Sequence, residues 1–213
     1  MRLRNKKNAN NIVNHSDYII KNPKEHRGAW NQVFGNDHEI HIEIGMGKGN
    51  FIIKMALNNP NINYIGIEMY DSVMVTAVNN LQGREEKIDN LRLIRMDATE
   101  IEEVFAKEVD RIYLNFSDPW PKARHSKRRL TSEEFLKRYD TIFKKDKVIF
   151  QKTDNNDLFE FSMEALLKHG YTLKNVTRDL YSNRIEGNVA TEYETKFVEK
   201  GIKINRLEAY YIK

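Results

Sequence analysis

Residues 39–60, EIHIEIGMGKGNFIIKMALNNP, decide the fold. The run 39–44 is short and β-branched, as a buried strand requires. Residues 51–59 carry apolar side chains at helical spacing, and Pro60 stops them. Between the two lie Gly45, Gly47 and Gly49. Glycines there permit a tight turn and let a ligand approach the backbone at a helix N-terminus. The dinucleotide fingerprint G-x-G-x-x-G is not met, because position 50 is Asn and the third Gly arrives one residue early. A nicotinamide-dependent oxidoreductase is therefore a distant alternative. Glu43 stands two residues before the first Gly. A carboxylate at that place suits a cationic group such as an amino acid's ammonium and disfavours a pyrophosphate.

Outward from this unit, strand and helix alternate. NYIGIEM (63–69) reads as a second strand, and LRLIRMD (91–97), RIYLNFS (111–117) and VIFQKTD (148–154) are three more strand candidates, each ending in an acid or leading straight into one. Helical spacing covers 72–81, 131–143 and 156–170; Thr131-x-x-Glu134 resembles a capping box and Gly170 closes the last of these helices. YTLKNVT (171–177) and a terminal pair near 193–198 and 206–212 complete the expected sheet. The pattern predicts an α/β fold with a doubly wound, mostly parallel, seven-stranded, Rossmann-like sheet over residues 38–213. Residues 1–37 are polar, rich in Asn and Lys, and are expected to form a short basic arm with at most short helices.

The chain has 213 residues, 31% of them charged, a net charge of +4 and no cysteine. That excludes disulfides, zinc–thiolate sites and a cysteine nucleophile, and fits a cytoplasmic protein. No apolar stretch approaches the ~20 residues that span a bilayer, and the basic start lacks the apolar segment of a secretory signal. The positive charge is unevenly placed. Arg2, Arg4, Lys6 and Lys7 load the N-terminus, and NFSDPWPKARHSKRR (115–129) carries Lys122, Arg124, Lys127, Arg128 and Arg129. Two basic blocks on a nearly balanced body read as a polyanion footprint, although such a run also occurs as a solvated loop.

Four acids fall at the carboxyl ends of consecutive strands: Glu43, Glu68, Asp97 and Asp118. Open α/β sheets bind ligands there. Glu43 suits an ammonium group, Glu68 can accept from two ribose hydroxyls, and Asp97 can accept from an adenine amino group. A ligand with all three is S-adenosylmethionine, with no metal expected. Asp118, leading into the basic run, is the candidate catalytic carboxylate beside a nucleic acid. Trp120 or Tyr193 could stack on a splayed base, and Trp120 could equally be a packed aromatic bracing its two prolines.

The E-x-G-x-G-x-G turn, the acid after the second strand, DPWPK, TDN at 153–155 and ATEYE at 190–194 together resemble bacterial tRNA (guanine-N7-)-methyltransferases. The resemblance covers roughly residues 38–213. It implies a class I methyltransferase fold and methylation of a guanine in the tRNA variable loop. It also implies that Glu43, Gly45, Gly47, Glu68, Asp97 and Asp118 surround the donor, with Asp118 at the catalytic centre. Lys122, Asp154, Thr191, Glu192, Tyr193 and Glu194 would bind substrate. Arg124, His125, Ser126, Lys127, Arg128 and Arg129 form the expected RNA footprint. The protein would act as a monomer or homodimer with tRNA as its partner and no membrane attachment. Two alternatives stand beside this reading. One is an amino-group methyltransferase of the adenine-N6 type, since SDPWP partly matches the (N/D/S)-PP-(Y/W/F) pattern. The other is a non-catalytic RNA-binding module of the same fold.

Overall fold

A computed structural model describes residues 8–182, 185 and 187–212. The basic residues at positions 2, 4, 6 and 7 lie outside that range. In chain order the elements are α1 (Ala9–Asn14), α2 (Trp30–Phe34), β1 (Glu39–Ile44), α3 (Asn50–Asn58), β2 (Ile62–Glu68), α4 (Asp71–Gln82), β3 (Leu91–Arg95) and α5 (Ile101–Val104). There follow β4 (Arg111–Asn115), α6 (Glu133–Ile142), β5 (Lys147–Thr153), α7 (Asn156–Lys168), β6 (Thr172–Thr177), α8 (Glu192–Val198) and β7 (Asn205–Tyr211). The seven strands form one sheet in the order β3-β2-β1-β4-β5-β7-β6. Strands β1 to β5 run parallel, and β7 inserts antiparallel between β5 and β6. The strand order reverses between β1 and β4, so the carboxyl ends of these two strands frame the crevice where such sheets bind ligands.

Strand periodicity explains the two cores. Ile40, Ile42 and Ile44 of β1 face a layer with Phe135, Leu136 and Tyr139 of α6 and Phe159 of α7. On the other face, Phe51, Ile52 and Ala56 of α3 and Met74, Val78 and Leu81 of α4 pack over Tyr64, Leu91 and Leu93. β1 is covered on both faces although only one of them is apolar: His41 and Glu43, opposite its isoleucines, are buried as well.

The N-terminal segment lies against this body. Its helices are short, six and five residues. Ala9 and Val13 of α1 join the α4 core. Ile20 N–H donates to Leu93 O at 3.0 Å and Leu93 N–H to Tyr18 O at 2.8 Å, so residues 18–20 pair with the edge strand β3. Trp30 is fully buried, and its indole N–H donates to Val104 O at 2.9 Å.

Two local expectations are corrected. Residues 193–198 are not a strand; they belong to helix α8. Thr191 caps it: its side chain accepts the Glu194 N–H, while the Glu194 carboxylate accepts the Thr191 N–H. That reciprocal box fixes the first turn and overrides the β-branched character of the segment. Helix α6 is capped by Ser132, whose Oγ accepts from Phe135 N–H at 3.4 Å, and not by Thr131. Thr131 Oγ1 instead bonds Ser162 Oγ at 2.7 Å in the core between α6 and α7.

If the N-terminal segment is integral to the fold, Trp30→Ala should lower unfolding free energy by about 3–5 kcal/mol, as for other fully buried tryptophans. Denaturant titration checks this, and a loss below about 1 kcal/mol would mean the segment is peripheral.

Candidate active site

The ends of β1, β2 and β4 converge on the glycine turn. Gly45, Gly47 and Gly49 have φ of 75°, 59° and 75°. A Cβ on Gly45 or Gly47 would meet nothing within 4 Å, whereas one on Gly49 would come within 2.7 Å of Ala77. Gly49 therefore allows α3 to approach α4, and the other two leave backbone open to a ligand.

Glu43 is 2% exposed; one carboxylate oxygen accepts from Asn115 Nδ2 at 2.9 Å. The other oxygen is buried with no hydrogen-bond partner. Burial pushes the Glu43 carboxyl up to about 8, against the opposing pull of the Asn115 bond and of Lys152. Glu68, at the end of β2, accepts N–H bonds from Gly47 (3.0 Å), Met69 (2.9 Å) and Tyr70 (3.1 Å). Burial raises its pKa, those backbone bonds resist, and the charge of Asp118 adds to the rise. Glu68 thus ties the glycine turn to the start of α4, and Asp118 is near enough for its field to be felt there. Asp97 is half-buried and caps the turn at 98–100, where Oδ1 accepts from Thr99 N and Oγ1, both at 2.8 Å.

These residues fit S-adenosylmethionine. An orphaned buried carboxylate oxygen suits an ammonium group, the two open glycines suit close approach, and acids at the ends of β2 and β3 suit ribose and adenine. Among the described residues no cluster of three or more His, Asp or Glu could hold a metal ion.

Asp118 is exposed, on a loop whose backbone is bent at both ends. Phe116 and Trp120 have φ of 53° and 42°, in the left-handed region that aromatic side chains rarely enter. Phe116 N–H donates to Lys152 O at 2.8 Å. On the far side Arg129 donates to Pro119 O at 3.0 Å and to Trp120 O at 3.1 Å, and its guanidinium lies over Phe161 at 4.4 Å. Arg129 is therefore a brace of the loop rather than part of an open phosphate surface.

The rest of the basic run is mostly outward. Lys122 and Arg124 are exposed. Lys127 is exposed and pairs with Glu134 at 3.1 Å, a contact of small value in water. Arg128 is exposed and covers Trp120 at 4.9 Å, while His125 meets the same ring edge-on at 5.8 Å. Trp120 is thus packed by the run itself. Ser126 is half-buried, and its carbonyl accepts the Arg129 N–H at 3.0 Å.

Asp154 is exposed just beyond β5, on the strand next to the one that carries Asp118. Its neighbours are structural: Asn155 caps α7, and Thr153 Oγ1 accepts the Asn155 N–H at 3.1 Å. In α8 the expected substrate residues divide. Glu194 is completely buried and accepts from Lys152 Nζ (2.6 Å), Asn188 Nδ2 (2.8 Å), Tyr181 OH (3.0 Å) and Thr191 N (3.2 Å). Burial alone would raise its pKa, but Lys152 and the hydrogen bonds hold it low, so the pair is ionic. Glu192 accepts from Lys48 Nζ at 2.8 and 3.1 Å and from Asn50 Nδ2 at 3.2 Å, which clasps the glycine turn. Tyr193 is exposed, and its ring stacks on Phe116 at 6.3 Å.

Two residues of this site escape a reading by motif. Asn115 opens the 115–129 run and reaches back to Glu43; strand alternation from Arg111 and Tyr113 puts it on that face. Lys152 lies in the polar half of β5, between Gln151 and Thr153, where composition gives no sign that it is buried.

The sheet and its flanking helices have the fold of class I S-adenosylmethionine-dependent methyltransferases. The structure resembles an antibiotic-related methyltransferase at a TM-score of 0.63 and 19% identity, over 87% of this chain and 94% of that one. It also resembles a mutant 16S rRNA (adenine(1408)-N(1))-methyltransferase with cosubstrate SAM from Catenulisporales acidiphilia, at 0.56 and 16%, over 90% and 92%. Residues 37–207 match the family model described as "Putative methyltransferase". The tRNA (guanine-N(7)-)-methyltransferase of Lachnoclostridium phytofermentans is 54% identical, over 99% of this chain and 98% of its own length. That of Geobacillus sp. (strain WCH70) is 52% identical, over 99% and 96%. The chain belongs to the tRNA (guanine-N(7)-)-methyltransferase family.

A carboxyl held near 8 by burial ionises when a cation docks beside it. If Glu43 meets the donor's ammonium, binding at pH 7 should release close to one proton, and donor affinity should climb between pH 6 and about 8 as the neutral form disappears. Calorimetry in buffers of different ionisation enthalpy measures the release. Glu43→Gln should abolish it, and an unchanged proton count in that variant would dismiss the contact.

Proposed function

We propose that the protein transfers a methyl group from S-adenosylmethionine to N7 of a guanine in the variable loop of tRNA. Residues 38–213 carry the transfer chemistry, and residues 1–37 flank them as a segment that is basic at its start and, from residue 8, packed on the α4 side and the β3 edge of the domain. The observation that carries the reading is Asp118, held on a bent loop between the glycine-turn crevice and a basic run. The strong likeness to tRNA (guanine-N(7)-)-methyltransferases supports it, and a tRNA substrate with a cysteine-free chain fits a cytoplasmic enzyme.

S-adenosylmethionine, when bound, supplies a methyl group on a positively charged sulfur. Guanine N7 carries an in-plane lone pair and no proton, so the transfer needs alignment and no general base. Glu43 holds the ammonium, Glu68 the ribose hydroxyls and Asp97 the adenine amino group. Asp118 accepts from the guanine N1–H and exocyclic amine and stabilises the positive charge that the purine acquires. Asp154, on the adjacent strand end, and Lys122 complete the substrate contacts. Glu192 and Glu194 position α8 against the donor turn and β5, and Tyr193 shores up Phe116 behind the catalytic loop. Thr191 serves through its cap. Arg124, Lys127 and Arg128, with His125 and Ser126 between them, face the tRNA backbone.

Incubation with labelled donor and unmodified tRNA transcripts, followed by nucleoside mapping, tests the function; N6-methyladenine instead of N7-methylguanine would overturn it. Asp118→Ala should abolish transfer with donor affinity within a few-fold of wild type. Glu68→Ala should show the opposite signature, because each charge-assisted bond to the ribose is worth roughly 1.5–3 kcal/mol. Donor titration of both variants separates the two roles, and near-normal turnover of Asp118→Ala would remove it from the centre.

The basic run gives a second contrast. Replacing Arg124 and Lys127 by Ala should flatten the dependence of log K on log salt by roughly 0.7–0.9 per lost phosphate contact. Arg129→Ala should leave that slope alone and lower kcat, because it loosens the Asp118 loop. Parallel salt plots for the double variant would move the footprint elsewhere, to the N-terminal arm.

A further inference from the structure

A cavity of about 210 Å³ lies on the α3 side of β4, β5 and β7, under residues 187–189. Phe51, Tyr113 and Phe150 give it aromatic walls, and Arg111, Lys152 and Arg206 give it three cations. Two of the charges are compensated within the chain. Lys152 pairs with Glu194 at 2.6 Å and spends its other donors on Val189 O (2.9 Å) and Asn188 Oδ1 (3.3 Å). Arg206 pairs with Glu208, whose other carboxylate oxygen is taken by Asn175 and Tyr210. Arg111 has no carboxylate within ion-pair distance among the described residues. Its guanidinium lies over Phe150 at 4.6 Å and makes one long bond, 3.4 Å, to Tyr113 OH. Nearby His41 adds no cation, since burial and the Arg111 charge push it down to about 4.

Two donors in this cluster are buried without a partner, Arg111 Nε and Arg206 Nη1. Arg206 is only 8% exposed. Buried guanidinium N–H groups are costly to leave unpaired, and native structures rarely do so. An excess positive charge, two orphaned planar donors and a cavity below the range of organic-ligand pockets together specify a small oxyanion. We propose that this cavity, which borders the donor site through Asn115, binds a phosphate-sized oxyanion between Arg111 and Arg206. Either free inorganic phosphate or a phosphate of RNA would present that chemistry.

The test uses the full chain. At constant ionic strength, inorganic phosphate at a tenfold excess over its dissociation constant should raise the Tm of wild type by roughly 3–6 °C relative to chloride. Arg111→Met and Arg206→Met should each lose most of that increment, while the Arg124→Ala, Lys127→Ala variant keeps it. Should a Met variant fail to fold, calorimetric titration of wild type with phosphate stands on its own. Equal Tm in phosphate and chloride with no calorimetric binding would overturn the proposal. So would an increment that survives Arg111→Met or vanishes in the basic-run variant. The source follows from tRNA binding: competition by phosphate together with weaker tRNA binding in Arg111→Met identifies an RNA phosphate. Loss of the Tm increment with unchanged tRNA affinity identifies the free ion.

Discussion

The Lys152–Glu194 pair is where the parts of the active region are joined. Lys152 rises from β5 into an apolar surround, over the Phe51 ring at 5.1 Å, and Glu194 descends from the first turn of α8 with no exposure to solvent. Two buried charges cost a good deal in desolvation, and their geometry must be well satisfied to offset it. Here it is: both oxygens of Glu194 and all three donors of Lys152 are engaged. The pair also places α8, since it fixes the helix's first turn against β5. Once α8 is seated, three successive residues reach three different parts. Glu194 holds β5, Tyr193 covers Phe116 at the root of the Asp118 loop, and Glu192 clasps Lys48 and Asn50 of the glycine turn. The glycine turn and the Asp118 loop are thereby referred to one helix.

Acids crowd the crevice, and the sheet makes that tolerable in different ways at each. Glu43 is so deeply buried that it stays largely protonated near neutrality, so it adds little charge until a cation arrives. Glu68 is also pushed up by burial and by Asp118, but three backbone N–H groups stabilise its ionised form. The pocket is therefore arranged to gain from a ligand that carries positive charge and hydroxyls together.

Much of this was legible in the chain. The β1–α3 unit, the acids at strand ends and the position of Asp118 follow from apolar periodicity and from the rule that open α/β sheets present ligands at their carboxyl ends. What escaped was decided by tertiary contact. Tyr-Glu-Thr-Lys-Phe-Val (193–198) reads as a strand by composition, and its helix is begun by the Thr191–Glu194 capping box, whose carboxylate also pairs with Lys152. Thr131 and Ser132 are both chemically able to cap α6; the neighbouring Ser162 draws Thr131 inward and leaves the work to Ser132. Five basic residues between 122 and 129 look alike in sequence. Only the fold shows that Arg129 turns back onto Pro119 and Trp120 while Arg124 faces water.

That inward turn bears on how the loop is kept ready. Phe116 and Trp120 each occupy a left-handed conformation that costs of order 1–2 kcal/mol for an L residue. A free loop would relax. It is held at one end by the Phe116 N–H bond to Lys152 O and at the other by two guanidinium bonds from Arg129. The packing of Trp120 between His125 and Arg128 closes the span. A basic segment thus does two jobs from one stretch of chain. Its inward members bend the backbone that carries Asp118, and its outward members stay available to a polyanion. Folding has already met the cost of ordering the backbone that carries Asp118, so it need not be met again when the substrate arrives.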